Sequence, residues 1–271
     1  MVPVCAASRP QVVAHRGASA VEAEHTLGAY LAALEAGAEA VECDVRLTAD
    51  GHLVCAHDRD LRRTARHRGV ISTMTLEELD AIDVASWKNP WRDLDDEAEE
   101  RDRSLDSVLP LRTLLETVAA QPRRVEIAIE TKHPTRYAGL VERRVVELLQ
   151  EFGWHTGDRA RVLSFSWVAL SRIRRIAPRV PLVYCMDKRR TWAVAQSIDE
   201  GGWIAAPDIR LLRRDASLRE ACRTGARRMH VWTVNQVEDL QWCADLGVEA
   251  VITDKPGEIL TARNSLPSTS L

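Results

Sequence analysis

The feature that most constrains this 271-residue chain is a regular alternation of short apolar runs with segments of helical spacing. The runs begin at Val12, Ala38, Val125, Arg161, Leu182, Trp203, Met229 and Glu249. Runs this short and this continuous suit strands buried on both faces of a parallel sheet. Between them, Glu24–Ala36 places Leu27, Tyr30, Leu31 and Leu34 on one helical face, with Gly37 as a C-cap. Further helices are expected at Leu111–Ala119, Ala138–Phe152, up to Ile176, around Trp192–Ile198, Asp215–Thr224 and Val237–Asp245. Eight such units in about 250 residues predict a (β/α)8 barrel of the TIM type. The competing architecture, a doubly wound open sheet, wants a GxGxxG first turn that the chain lacks.

The alternation is interrupted once. Asp50-Gly51 signals a hairpin, so His52–Ala56 is expected to pair back on the preceding strand. Thr75-Leu-Glu-Glu78 reads as a capping box opening a helix to about Ile82. Beyond Asp83 the pattern fails: two tryptophans, Trp87 and Trp91, precede an acidic, apolar-poor run ending near Asp106. The acidic part reads as a solvated loop, and the aromatic part as one able to close over a site.

A net charge of −3 argues against a nucleic-acid binder, which neutralises phosphates with a basic surface. Cys5, Cys43, Cys55, Cys185, Cys222 and Cys243 form no CxxC pair and read as small core residues in a reducing compartment. The N-terminus shows no secretory pattern, and no apolar run reaches the roughly 20 residues that span a bilayer, so a cytoplasmic protein is expected.

The chemistry concentrates at strand ends. Residues two apart in a strand share a face, so Glu42 and Asp44 point one way while Val41, Cys43 and Val45 point toward covering helices. Glu130 and Lys132 repeat the arrangement on the strand that follows the interruption. His15 closes the first strand, and His57 follows the return strand. All lie where barrel active sites are built. Three carboxylates at close quarters cannot all stay ionised without a cation, and an all-oxygen set suits Mg²⁺ or Ca²⁺. The alternative is a set of internal salt bridges to Arg16, Lys132 or Arg46. Zinc would need His15 or His57, since HExxH and cysteine pairs are missing. Phosphodiester cleavage needs a cation and cationic side chains on the non-bridging oxygens, a base for the nucleophile and an acid for the leaving alkoxide. His15 and His57 fit the acid–base roles, with Arg16 and Lys132 as phosphate clamps. His52, His67, His133, His155 and His230 lie apart from the acids and are read as structural.

These motifs resemble the glycerophosphodiester phosphodiesterase family. The match runs through His15-Arg-Gly17, Glu24-x-Thr26, Glu42-x-Asp44, His57-Asp58, Arg63-Thr64, the Thr75-Leu-Glu-Glu start, Glu130-Thr-Lys132, Trp232-Thr-Val-Asn235 and Thr253-Asp254, in order over nearly the whole chain. The resemblance implies a barrel with an insertion after the second strand, at about 58–109; the chain itself reads as a leader at 1–10, the barrel domain at 11–262 and a disordered tail at 263–271. It implies His15 and His57 as the catalytic pair and Glu42, Asp44 and Glu130 as ligands of the divalent cation. Arg16 and Lys132 would bind phosphate, Glu24 would support the site, and Trp232 would form a pocket wall. His25 stands where the family carries asparagine. The implied activity is hydrolysis of a small-molecule glycerophosphodiester to glycerol 3-phosphate and an alcohol. The competing readings are a lysophospholipase D acting on lipid head groups and a non-catalytic barrel that binds a phosphate ligand.

Overall fold

The computed structural model describes residues 9–89, 91, 102–137, 139–197 and 202–266. Among them are nine strands: β1 (Gln11–His15), β2 (Ala40–Leu47), β3 (Leu53–Cys55), β4 (Glu126–Thr131), β5 (Ala160–Ser164), β6 (Leu182–Met186), β7 (Trp203–Pro207), β8 (His230–Val231) and β9 (Ala250–Thr253). All except β3 run parallel, in the order β7-β6-β5-β4-β2-β1-β9-β8. Single parallel bridges, Ala205 to Met229 and Asp208 to Trp232, bring β7 and β8 together and close the ring. This is the eight-stranded barrel that the alternation of runs predicts, and β3 is the antiparallel return from the Asp50-Gly51 hairpin.

The side-chain period of two sorts the strands into two apolar layers. Val12, Ala14, Val41, Cys43, Ile127, Ile129 and Val162 face outward into the core shared with the helices. Val13, Ala40, Ala128, Leu163, Val183, Ile204, Ala250 and Ile252 fill the barrel. The small Ala40, Ala128, Ala206 and Ala250 leave room for the larger Leu163, Ile204 and Ile252, so the interior is packed and has no pore. Cys43, Cys55, Cys185, Cys222 and Cys243 are buried thiols, while Cys5 lies outside the described residues.

Two helix boundaries differ from the sequence expectation. The first helix spans Leu27–Glu35 and does not reach back to Glu24, because Thr26 Oγ1 accepts from Ala29 N and caps it there. Glu24 and His25 are therefore loop residues, with His25 at φ +63°. A helix at Arg189–Ala195 starts before the expected Trp192, and a short extra helix, Ile209–Arg214, is capped by Asp208.

Between β3 and the helix Leu111–Ala119, a satellite core of Val54, Leu61, Ile71, Leu79, Val84 and Val108 holds the interrupting segment together. Its helix at Leu76–Asp80 shows both halves of the expected capping box. Trp87 donates from Nε1 to Val84 O, and Lys88 Nζ to Ser19 O at 2.8 Å, so this loop is pinned to the loop after β1. Most of the acidic run, residues 92–101, lies outside the described residues. No described helix is long and apolar enough to cross a membrane.

Candidate active site

Strand register assembles the site. His15 pairs with Glu42 across β1–β2, and Asp44 pairs with Glu130 across β2–β4, so all four side chains face the same C-terminal mouth. Glu42, Asp44 and Glu130 are buried, and each offers an oxygen within 4.8 Å of the others. Arg16 Nε lies 3.0 Å from Asp44 Oδ2, and Lys132 Nζ lies 3.0 Å from Asp44 Oδ1 and 2.8 Å from Glu130 Oε1. Two of the three cations suggested as internal partners are thus present, while Arg46 instead donates to the His57 carbonyl from Nε and Nη2.

Two cations against three carboxylates leave one negative charge uncompensated. Its consequences are visible in the acids. Burial pushes Glu42 well above the carboxylate range, and the charges of Asp44 and Glu130 add to it. Burial and Asp44 likewise raise Glu130 to about 7, against the pull of Lys132. Asp44 goes the other way: burial opposes its charge, but His25, Lys132 and Arg16 outweigh burial and hold it well below the usual range. The donor set is all oxygen and short of positive charge, which fits a hard divalent cation held by Glu42, Asp44 and Glu130.

Two imidazoles flank the cluster, each held through Nδ1 by a carboxylate. His15 Nδ1 donates to Asp254 Oδ1 at 2.6 Å, and Asn235 Nδ2 donates to the other oxygen of Asp254 at 2.6 Å. Burial disfavours the Asp254 carboxylate, but the bonds from His15, Asn235 and Ser19 prevail and hold it at about 2. His57 Nδ1 meets Asp58 Oδ1 at 2.8 Å, and Arg63 Nε donates to Asp58 Oδ2 at 2.6 Å. Burial, together with the charges of Arg16 and Lys132, lowers His57 from its ordinary value against the opposing pull of Asp44 and Asp58. In both imidazoles Nε2 has no hydrogen-bond partner among the described residues.

Glu24 joins the two halves. It accepts from Arg63 Nη1 and Nη2, each at 2.7 Å, and from Arg16 Nη1 at 3.0 Å. Burial raises its pKa, but Arg63 and Arg16 overcome that and set it at about 2. Arg16 reaches Asp44 from a reversed turn, with Arg16 at φ +57° and Gly17 at φ +86°. A Cβ on Gly17 would sit 2.6 Å from the Ala29 backbone. Gly17→Ala is therefore expected to destabilise the fold by roughly 2 kcal/mol or more, read as a lowered urea midpoint with unchanged slope.

His25 is the departure from the family pattern, and the structure gives it a definite place. Its Nε2 lies 2.9 Å from Asp44 Oδ2, and its Nδ1 lies 2.9 Å from the Tyr30 hydroxyl. Burial lowers its pKa to about 4 despite the bond to Asp44, so the ring is neutral and carries one N–H. The Asp44 carboxylate takes that proton, so Nδ1 and the Glu42 carbonyl, 3.1 Å from the Tyr30 hydroxyl, share the one hydroxyl proton as acceptors.

Trp232 donates from Nε1 to Ala206 O and packs edge-on against Phe165 at 5.5 Å. Phe165 is 40% exposed, and Lys132 Nζ lies 5.9 Å from its ring centroid, so the two aromatics wall the mouth beside the cluster. Sequence reading missed Phe165, and it gave no partner role to Asp254, Asn235, Asp58 or Arg63. Their signal was faint, because Asp254 lies 239 residues from His15 and only barrel closure joins them. His230 is buried at the opposite mouth, beside Arg161, Glu126 and Glu249, and His52 and His67 are exposed, so all three stand apart from the site.

Residues 15–258 match the glycerophosphoryl diester phosphodiesterase family model. A Mycobacterium tuberculosis protein named probable glycerophosphodiester phosphodiesterase 1 is 42% identical over 256 residues, covering 93% of this chain and 91% of that one. A Bacillus subtilis glycerophosphodiester phosphodiesterase is 29% identical, over 94% and 90% of the two chains. Among solved structures, a glycerophosphoryl diester phosphodiesterase from Silicibacter pomeroyi superposes with a TM-score of 0.78 at 25% identity, covering 97% of this chain and 95% of that one. An Oleispira antarctica phosphodiesterase, solved with the product sn-glycerol-3-phosphate, shares the fold with a TM-score of 0.75 at 24% identity, over 94% and 97% of the two chains. The chain belongs to the glycerophosphoryl diester phosphodiesterase family and is a phosphoric diester hydrolase.

Proposed function

We propose that this chain hydrolyses glycerophosphodiesters to glycerol 3-phosphate and an alcohol, using a divalent cation, Mg²⁺ or Ca²⁺, with His15 and His57 as the acid–base pair. The observation that carries the proposal is the buried carboxylate triad flanked by two imidazoles, each fixed at Nδ1 by its own acid. Glu42, Asp44 and Glu130 would hold the cation. When bound, it would polarise a non-bridging phosphate oxygen and offset charge that builds there.

The chain's own residues do the remaining work. Arg16 and Lys132 face the same centre and add positive charge against the non-bridging oxygens. One imidazole takes a proton at Nε2 from the attacking oxygen, either water or a substrate hydroxyl whose cyclic phosphate water then opens. As its P–O bond forms, the bond to the alcohol breaks and the other imidazole gives a proton from Nε2 to the leaving alkoxide oxygen. Asp254 and Asp58 fix each ring's tautomer and stabilise its protonated form. His25 and Tyr30 orient Asp44, and Glu24 holds Arg16 and Arg63 in register with both histidines.

This division of labour makes Asp254→Asn informative. The asparagine keeps the volume but no longer fixes the Nδ1–H tautomer of His15. Its kcat is expected to fall by about 10²-fold or more with little change in KM, measured by steady-state release of glycerol 3-phosphate. The reading as a whole is tested by assaying glycerophosphoglycerol with Mg²⁺ or Ca²⁺, before and after a chelator. Hydrolysis that stops with the chelator and returns with cation is expected. Hydrolysis unaffected by chelation contradicts the cation's role, and no hydrolysis under any cation contradicts the substrate class.

A further inference from the structure

Beside the carboxylate cluster lies a cavity of about 380 Å³, and Lys132 belongs to the walls of both. Its other charged walls are Arg46, Arg59 and Arg136, with the hydroxyl-bearing Ser72 and Thr73 between them; no carboxylate lines it. The cavity sits on the His57 side of the cluster. Arg46 follows Asp44 by two residues on the same face of β2 and holds the His57 carbonyl, and Arg59 follows His57 by two.

What these arginines pair with decides what the cavity can receive. Several of the chain's other guanidiniums pair with acids: Arg16 with Glu24, Arg63 with Asp58, Arg161 with Glu126, Arg213 with Asp239, Arg228 with Glu249 and Arg263 with Glu39. Among the described residues, none of Arg46, Arg59 and Arg136 has a carboxylate within ion-pair distance. Three guanidiniums without a direct carboxylate partner line one concavity next to the proposed reacting phosphate, with Asp44, Asp58 and Glu130 acting on Arg46 only at longer range. Guanidinium groups match phosphate and carboxylate oxygens in geometry as well as charge. A quaternary or primary ammonium placed there would meet four like charges, Lys132 included, and no acid in the lining.

We propose that this cavity receives the alcohol moiety of the diester and selects head groups that carry a second anionic group, a phosphate or a carboxylate, over cationic ones. The assignment rests on the reading of the chain as a glycerophosphodiester hydrolase. It adds to that reading a substrate class: diesters with an extra negative charge on the alcohol side.

The test compares glycerophosphocholine, glycerophosphoinositol and ring-phosphorylated glycerophosphoinositol, whose last two members differ only by the added phosphate. The wild type is expected to favour the phosphorylated diester over the other two by about tenfold or more in kcat/KM. The preference should weaken as salt is raised. In the Arg59→Gln/Arg136→Gln double variant the preference should collapse, with the loss falling on the KM of the phosphorylated diester. Equal kcat/KM across the three diesters, or a preference that survives the double variant, overturns the proposal. Calorimetric binding of inositol phosphate to the same two proteins separates this outcome from failure of the hydrolase reading. If no diester is hydrolysed but inositol phosphate binds about tenfold tighter to the wild type, the hydrolase reading falls and the cavity's assignment as an anion site stands. Equal binding to both proteins overturns the assignment as well.

Discussion

His15→Ala is expected to lower kcat for glycerophosphodiester hydrolysis by about 10²–10⁴-fold while moving KM by no more than a few-fold. The reason is geometric. His15 is fixed through Nδ1 by Asp254, and its side chain is 18% exposed, so it contributes a proton-transfer atom to the site and little to the core. His57→Ala should give a loss of similar size, since His57 is held in the same manner by Asp58 and is 36% exposed. The double variant should lose little more than the worse single one, because an acid and a base that act in one step do not contribute additively. Thermal melts of all three proteins should stay close to wild type. A large drop in stability together with activity would instead make these residues structural.

The second large effect belongs to the cation. A divalent ion that binds only the folded chain, supplied at about a hundred times its Kd, adds about 3 kcal/mol of stability. For a chain of this size that raises Tm by roughly 5–10 °C. Glu42→Gln should abolish the shift and the activity together. In chelator, however, the variant should be as stable as wild type or more so. Glu42 is buried beside two other acids, and its side chain takes little beyond the Arg16 amide, so removing its charge relieves repulsion without orphaning a partner. Asp44→Asn is the contrasting case: Asp44 is the common partner of Arg16, His25 and Lys132, and removing its charge leaves two buried cations short of compensation. It should melt lower with or without cation, by an amount in the range of about 3–5 kcal/mol. If both variants behave alike, the cluster is an ion-pair network with no cation preference.

The barrel was legible because its signal is periodic. In AVECDVRL, the alternation of Val41, Cys43 and Val45 with Glu42, Asp44 and Arg46 announces a strand whose inward face is charged at one end. Such a face is tolerable only at the barrel mouth. The carboxylate triad could be anticipated because each acid sits at a strand end, and strand ends of a barrel share a rim. What the sequence could not show is what each histidine leans on. Asp58 adjoins His57 in the chain, yet its link through Arg63 to Glu24 depends on how the interrupting segment folds back. Asp254 reaches His15 only because β9 pairs with β1 in a register that sets Thr253 beside Ala14.

His25 shows a second limit. Helical periodicity extends through Glu24 and places His25 on a helix, but Thr26 caps the helix one residue later and His25 takes a left-handed conformation. Such a backbone is uncommon outside glycine, but asparagine and histidine are both enriched in it. Here the ring is held at both nitrogens, by Asp44 and Tyr30, which accounts for how a bulkier residue fits a buried position beside the cluster. The cationic cavity was similarly hidden. Arg46, Arg59 and Arg136 are ordinary arginines in an arginine-rich chain until folding gathers them on one side of Lys132.

The most direct test of the central claim is phosphorus NMR of a glycerophosphodiester incubated with cation-loaded wild-type protein and with the His15→Ala/His57→Ala double variant. The wild type should convert the diester resonance into that of glycerol 3-phosphate, stop when chelator is added, and resume with Mg²⁺ or Ca²⁺. The double variant should leave the diester intact over the same period. Conversion at the wild-type rate by the double variant, or conversion that persists in chelator, would contradict the assignment of this rim as a cation-assisted, histidine-driven hydrolytic centre.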